Sequence, residues 1–159
     1  MTTRPDPEDP LRLALRASEP RSGPPPEHPS TEALIAHIAA LKTSLVRPVV
    51  TPRFIPSCTD PLLGELGALA RSCGCHVQTH VSESDWEDGY VSARTGRRDV
   101  DALDGFGLLG DRTVLAHGTL LTPADMDMMV ARRAALAHCP LSNVYFSNAV
   151  LPLRAALAK

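Results

Sequence analysis

Four short runs of strand character, at 46–54, 76–82, 113–118 and 134–140, alternate with stretches of helical period. A strand followed by a crossover helix and another strand gives a parallel sheet, so the pattern predicts an α/β fold. The helical stretches are well punctuated. Leu34, Ile35, Ile38, Leu41 and Leu45 recur at helical spacing behind Ser30 or Thr31 as cap, with Glu32 in the first turn. Asp60-Pro61 starts a second helix, whose buried face is Leu62, Leu63, Leu66 and Leu69 and whose end is Gly74. Residues 86–94 and 100–109 read as helices capped by the aspartates before them. Thr122-Pro123 opens a helix with Met126, Met129 and Val130 inward, and 152–158 begins one more. An eight-fold barrel needs roughly 250 residues. Residues 30–159 suit about four strand–helix units, half of such a barrel, with a small open sheet as the alternative.

Residues 1–29 stand apart. They hold eight of the fifteen prolines and little periodic apolar pattern, so a disordered tail is expected there. The formal net charge of -2 gives no reason to expect nucleic acid or an acidic membrane as partner. No apolar run is long enough to cross a bilayer, and the N-terminus lacks an apolar signal core. Four cysteines without such a signal, Cys58, Cys73, Cys75 and Cys139, fit a reducing interior, and the expected location is cytoplasmic.

The residues able to do chemistry gather at strand ends. In 76–82, His76, Gln78 and His80 share one face, because strand side chains alternate. His80 is at the C-terminal end, where α/β folds bind ligands. Glu83 follows in the loop, close enough to swing back over His80. A neutral imidazole can ligate zinc and a nearby carboxylate can move protons. His117 and His138 close the next two predicted strands. Three histidines on one rim favour a shared site over three separate structural roles. Arg53 and Phe54 end the first strand. A guanidinium can donate to a purine carbonyl and a phenyl ring can stack on the base. Asn143, Ser147 and Asn148 read as a polar loop, and Asp85, Trp86 and Glu87 as a helix start. There is no nucleophile elbow, no phosphate-binding glycine loop and no Pro-Cys-x-x-Cys deaminase motif.

The strings V-R-P-V-V-T-P-R-F-I-P-S-C-T-D, H-V-Q-T-H-V-S-E-S-D-W-E, V-L-A-H-G and A-H-C-P-L-S-N-V-Y-F-S-N-A-V resemble the guanine deaminases of the amidohydrolase superfamily. The resemblance implies a zinc-containing (β/α)8 barrel that hydrolyses guanine to xanthine and ammonia. It implies that His80 is a zinc ligand and that Glu83 is the proton shuttle, both also bordering the base. It implies that His117 polarises the attacking hydroxide, and that Arg53 and Phe54 hold the guanine. His138 resembles a rim histidine that is given no ligand role. The family's H-x-H ligand motif does not occur, nor does its late Thr-Asp, since Thr59-Asp60 begins a helix. The expectation is therefore a truncated guanine deaminase-like barrel with an incomplete zinc site, inactive by itself. The alternatives are an interaction fragment that completes its barrel with another chain, or a fragment of an amidohydrolase acting on another nucleobase. A homodimer or a complementary chain is the expected protein partner.

Overall fold

The computed structural model describes residues 30–159, so the expected tail at 1–29 lies outside the described residues. In chain order the elements are α1 (Thr31–Ala40), β1 (Val49–Val50), a 3-10 turn (Ile55–Ser57), α2 (Asp60–Cys73) and β2 (His76–Val81). There follow α3 (Asp85–Thr95), α4 (Asp99–Gly105), β3 (Thr113–His117), α5 (Pro123–Arg132), β4 (Ala135–Ala137), α6 (Pro140–Ser147) and α7 (Leu153–Leu157). The strands form one parallel sheet in the order β1-β2-β3-β4. Each strand pairs with its sequence neighbour, as strand–helix units around a barrel do. The fold is α/β, a four-stranded portion of a (β/α)8-type barrel.

One face of the sheet makes the core. Val77, Thr79 and Val81 of β2, with Thr113 and Leu115 of β3, point into it. The helices cover them with Leu63 and Ala70 of α2, Val91 of α3, Val100 and Leu103 of α4, and Met126 and Met129 of α5. The other face, carrying Val49, Gln78 and Val114, is exposed.

Local chemistry sets the helix ends. Thr59 caps α2 by accepting from the Leu62 N–H, Pro61 lies in the first turn, and Gly74 closes the helix at φ 63°. Thr122 and Asp125 form a reciprocal capping box at α5. Ser84 caps α3, so Asp85 is the first helical residue and not the cap. The aspartate before the predicted 100–109 helix is likewise inside α4. Its cap position is Arg98, and the Asp99 side chain is used elsewhere.

Other expectations are corrected as well. Helix α1 stops at Ala40, leaving Leu41 and Leu45 exposed, and it touches the core only through the half-buried Ile35. The strand expected at 46–54 pairs over Val49–Val50 alone, and the chain then enters the 3-10 turn Ile55–Ser57 with Pro56 inside it. The strand expected at 134–140 pairs over Ala135–Ala137, and the polar loop after it is helix α6. Pro140 at the first helical position is preorganised for that turn, and Asn148 closes it at φ 46°. The sequence predicts that Cys73 and Cys75 are thiols in a reducing interior. They are joined by a disulfide around Gly74, with Cα atoms 5.3 Å apart.

Candidate active site

The site is built at the C-terminal rim of β1, β2 and β3. His80 is held by the residue that precedes Phe54. The Arg53 carbonyl accepts from the His80 backbone N–H at 3.0 Å and lies 2.6 Å from His80 Nδ1. A proton on Nδ1 makes that contact, which leaves the Nε2 lone pair free. The Arg53 side chain is exposed beside it, and Phe54 is half-buried with its ring 6.5 Å from that of Trp86. Trp86 in turn stacks on Tyr90 at 5.5 Å.

His117 reaches the site by an irregularity that no alternation rule supplies. It pairs with Val81, while His80 pairs with Ala116. By strict period-two alternation His117 would point with Leu115 into the helix-facing core. Its backbone takes φ 76°, followed by Gly118 at φ 63°, and the alternation breaks. The imidazole then stacks on His80, with centroids 5.0 Å apart and planes at 19°. Holding a non-glycine residue in this region costs about 1–3 kcal/mol and persists only where the surroundings over-determine it. Here they do. His117 Nδ1 lies 2.8 Å from Asn143 Oδ1 and 3.5 Å from Glu83 Oε1. Both are acceptors, so the proton belongs on Nδ1 and Nε2 keeps its lone pair.

Thus His80, Glu83 and His117 are brought together, with Arg53 and Phe54 on the adjoining loop. His138 is not part of the stack. It stands exposed one residue past β4, so the expectation of three equivalent strand-end histidines is corrected to a stacked pair. The rungs differ by one residue between His80 and His117, a register that the sequence alone does not show.

The sequence predicts a polar loop for Asn143 and Ser147 and names no partner for either. On α6 the buried Asn143 holds His117, and Ser147 Oγ donates to the Glu83 carbonyl at 2.5 Å. Nor does it reveal Glu87 and Asp99 as buried acids behind Glu83. Burial, followed by the charge of Asp99, pushes the Glu87 carboxyl up to about 8. Burial pushes Asp99 up to about 6. The one available signal was the doubling of acidic residues in two adjacent helix starts.

Among the described residues, no group of three His, Cys, Asp or Glu side chains is placed to hold a metal ion. The donor chemistry of His80 suits one ligand position, but catalytic zinc sites take three protein ligands. The residues present do not make a complete zinc site.

Comparison with known proteins agrees with the architecture. The amidohydrolase family model matches residues 16–159. Guanine deaminase of Pongo abelii is 37% identical over 123 residues, covering 76% of this chain and 27% of the relative. The crystal structure of guanine deaminase from C. acetobutylicum, with guanine bound in its active site, superposes with a TM-score of 0.76 at 30% identity. That match covers 80% of this chain and 31% of that one. A zinc-bound adenosine deaminase from Xanthomonas campestris superposes at 0.71 with 25% identity, covering 80% and 30%. The chain spans less than a third of the length of each of these relatives. With a family model matched along nearly all of it, the chain belongs to the amidohydrolase family.

Proposed function

We propose that this chain carries the base-binding and proton-transfer part of a guanine deaminase-type site, hydrolysing guanine to xanthine and ammonia. The observation that carries the reading is the stacked His80–His117 pair with the Glu83 carboxylate 3.5 Å from His117 Nδ1, at the strand ends beside Arg53 and Phe54. Likeness to guanine deaminases supports the substrate class.

Hydrolytic deamination needs a water to lose a proton, a ring nitrogen to gain one, and an amino group to leave as ammonia. A carboxylate beside the reacting carbon can make both transfers, and Glu83 has that place. With its Nδ1 proton held by Asn143, His117 has Nε2 left as an acceptor for the water. Arg53 donates to the guanine carbonyl, a group that adenine lacks, while Phe54 covers the base. Zinc, when bound, lowers the pKa of a water to about 7. His80 Nε2 would supply one ligand to it, and the described residues do not complete its ligand set.

Trp86 is the chain's single tryptophan and touches Phe54, so its fluorescence reports on the base site. Guanine is expected to quench it and adenine to leave it unchanged, with Arg53→Ala removing the response. Ammonia release from guanine with added zinc is expected to stay at background. A guanine-independent signal would sink the base-binding reading. Turnover abolished by Glu83→Gln would instead overturn the expected inactivity while supporting the assigned role.

One observation favours a second reading, in which the chain serves as an interaction fragment. Val49 and Val114 lie bare on the sheet face that a complete barrel would enclose. A complementary barrel segment would cover them, and the test is the molecular mass in solution.

A further inference from the structure

The loop that carries Glu83 is fixed through its backbone, and the groups that fix it come from four different elements. The Ser82 N–H donates to Asp99 Oδ2 of α4 at 2.7 Å. The Glu83 N–H donates to Glu87 Oε2 of α3 at 2.8 Å. The Thr119 hydroxyl, beyond β3, lies 2.9 Å from the Ser82 carbonyl and 2.8 Å from the Glu83 carbonyl. The Leu120 N–H also reaches the Ser82 carbonyl, and Ser147 of α6 reaches that of Glu83. Both peptide groups are therefore satisfied, with Ser82 held at φ 47°.

The two acids in this set are unusual for their positions. Ser84-Asp85-Trp86-Glu87 reads as a capping box, in which the glutamate would return to the backbone N–H of the cap residue. Glu87 reaches one residue further back, to Glu83, and is 2% exposed. Asp99 is 1% exposed. Each has one oxygen on a loop N–H and one buried oxygen, Glu87 Oε1 and Asp99 Oδ1, with no partner among the described groups. The charge of Asp99 adds to burial in raising the Glu87 carboxyl, as two acids buried around the same loop do. Two adjacent buried carboxylates cannot both ionise cheaply. A single proton held by the pair relieves that repulsion and supplies a donor to a site that holds only acceptors.

We propose that Glu87 and Asp99 are positioning residues, an acid pair sharing one proton that clamps the Ser82 and Glu83 amides and so sets the Glu83 carboxylate against His117. The proton rests on Glu87, which donates to Asp99, and Asp99 stays ionised. The remaining charged groups facing the pair act on it from both sides. Glu83 disfavours a charge on Glu87, while Asp88 opposes and Arg98 favours the charge on Asp99, which also accepts from the Ser82 N–H. The consequence for proton transfer rests on the reading of Glu83 as the shuttle, but the clamp itself can be measured without turnover.

The experiment is amide NMR on the full chain with Glu87→Gln and Glu87→Ala. In the unsubstituted chain the Ser82 and Glu83 amide protons should resonate well downfield and move together as Glu87 ionises in mildly alkaline solution. Glutamine can still accept from Glu83 and donate to Asp99, so Glu87→Gln should keep the Glu83 amide protected while abolishing its alkaline titration. Glu87→Ala should speed exchange of that amide about tenfold or more, as loss of a buried hydrogen bond does. The same alkaline titration in both the unsubstituted chain and Glu87→Gln would overturn the proposal, and needs no folded alanine variant. So would unchanged exchange in a folded Glu87→Ala chain. A failed guanine-binding assay would leave these readings intact, and their failure would leave guanine binding intact.

Discussion

At the scale of single residues, burial decides what each polar group does. Glu87 and Asp99 have pKa values of about 8 and about 6 in the fold, above their ordinary values of 4.5 and 3.8. Over the window between, the folded chain binds more protons than the unfolded one. Stability from this pair is therefore full below about pH 4 and falls as pH rises, with the loss complete above about pH 8. Thermal melts across that range should show the decline, and Glu87→Gln should flatten its upper part. Asn143 offers a second test. It is 1% exposed and supplies the closest acceptor to His117 Nδ1. Asn143→Ala strips a buried partner and is expected to cost about 1–3 kcal/mol by urea unfolding. It should also loosen His117, because its strained backbone then has one fewer restraint.

At the scale of elements, close backbone approach matters as much as apolar pattern. Helix α2 carries Leu63 into the core as its spacing predicts, but the expected Leu62 is exposed, Leu66 and Leu69 are half-buried, and Ala70 and Gly67 are buried instead. A Cβ at Gly67 would sit 2.1 Å from the Phe106 carbonyl oxygen, a backbone atom that cannot step aside alone. Gly67→Ala, normally favourable inside a helix, should here destabilise by about 1–3 kcal/mol through overpacking. Chemical denaturation compared with Gly64→Ala gives the control, since a Cβ at Gly64 meets nothing within 4 Å. The ion-pair hub at Arg98 joins elements in the same way. Its guanidinium bonds Asp88 of α3, Asp125 of α5 and the Leu120 carbonyl, tying together the segments that hold the Glu83 loop.

At the scale of the molecule, helices cover one sheet face and leave the other bare. Val49 and Val114 on that face are exposed, and so are Leu141, Val144, Tyr145, Phe146 and Val150 around α6. Apolar surface of this extent drives association. Light scattering is expected to give a mass above the 17.0 kDa of one chain, falling when Tyr145 and Phe146 are replaced by serine. A stable monomer would contradict the expectation of a complementary partner.

The sequence by itself determined the parallel α/β order, the helix starts at Asp60-Pro61 and Thr122-Pro123, and the gathering of His80, Glu83, Arg53 and Phe54 at strand ends. These are local matters of period, cap and turn, written in residues close together along the chain. Only the tertiary structure decided that β1 and β4 pair so briefly, that His117 turns out of register to stack on His80, and that His138 stays apart. It alone recruited Asn143 from 26 residues away to His117, and Asp99 from 17 residues away to the Glu83 loop. Strand pairing, burial and backbone strain arise between segments distant in sequence, so no local pattern announces them.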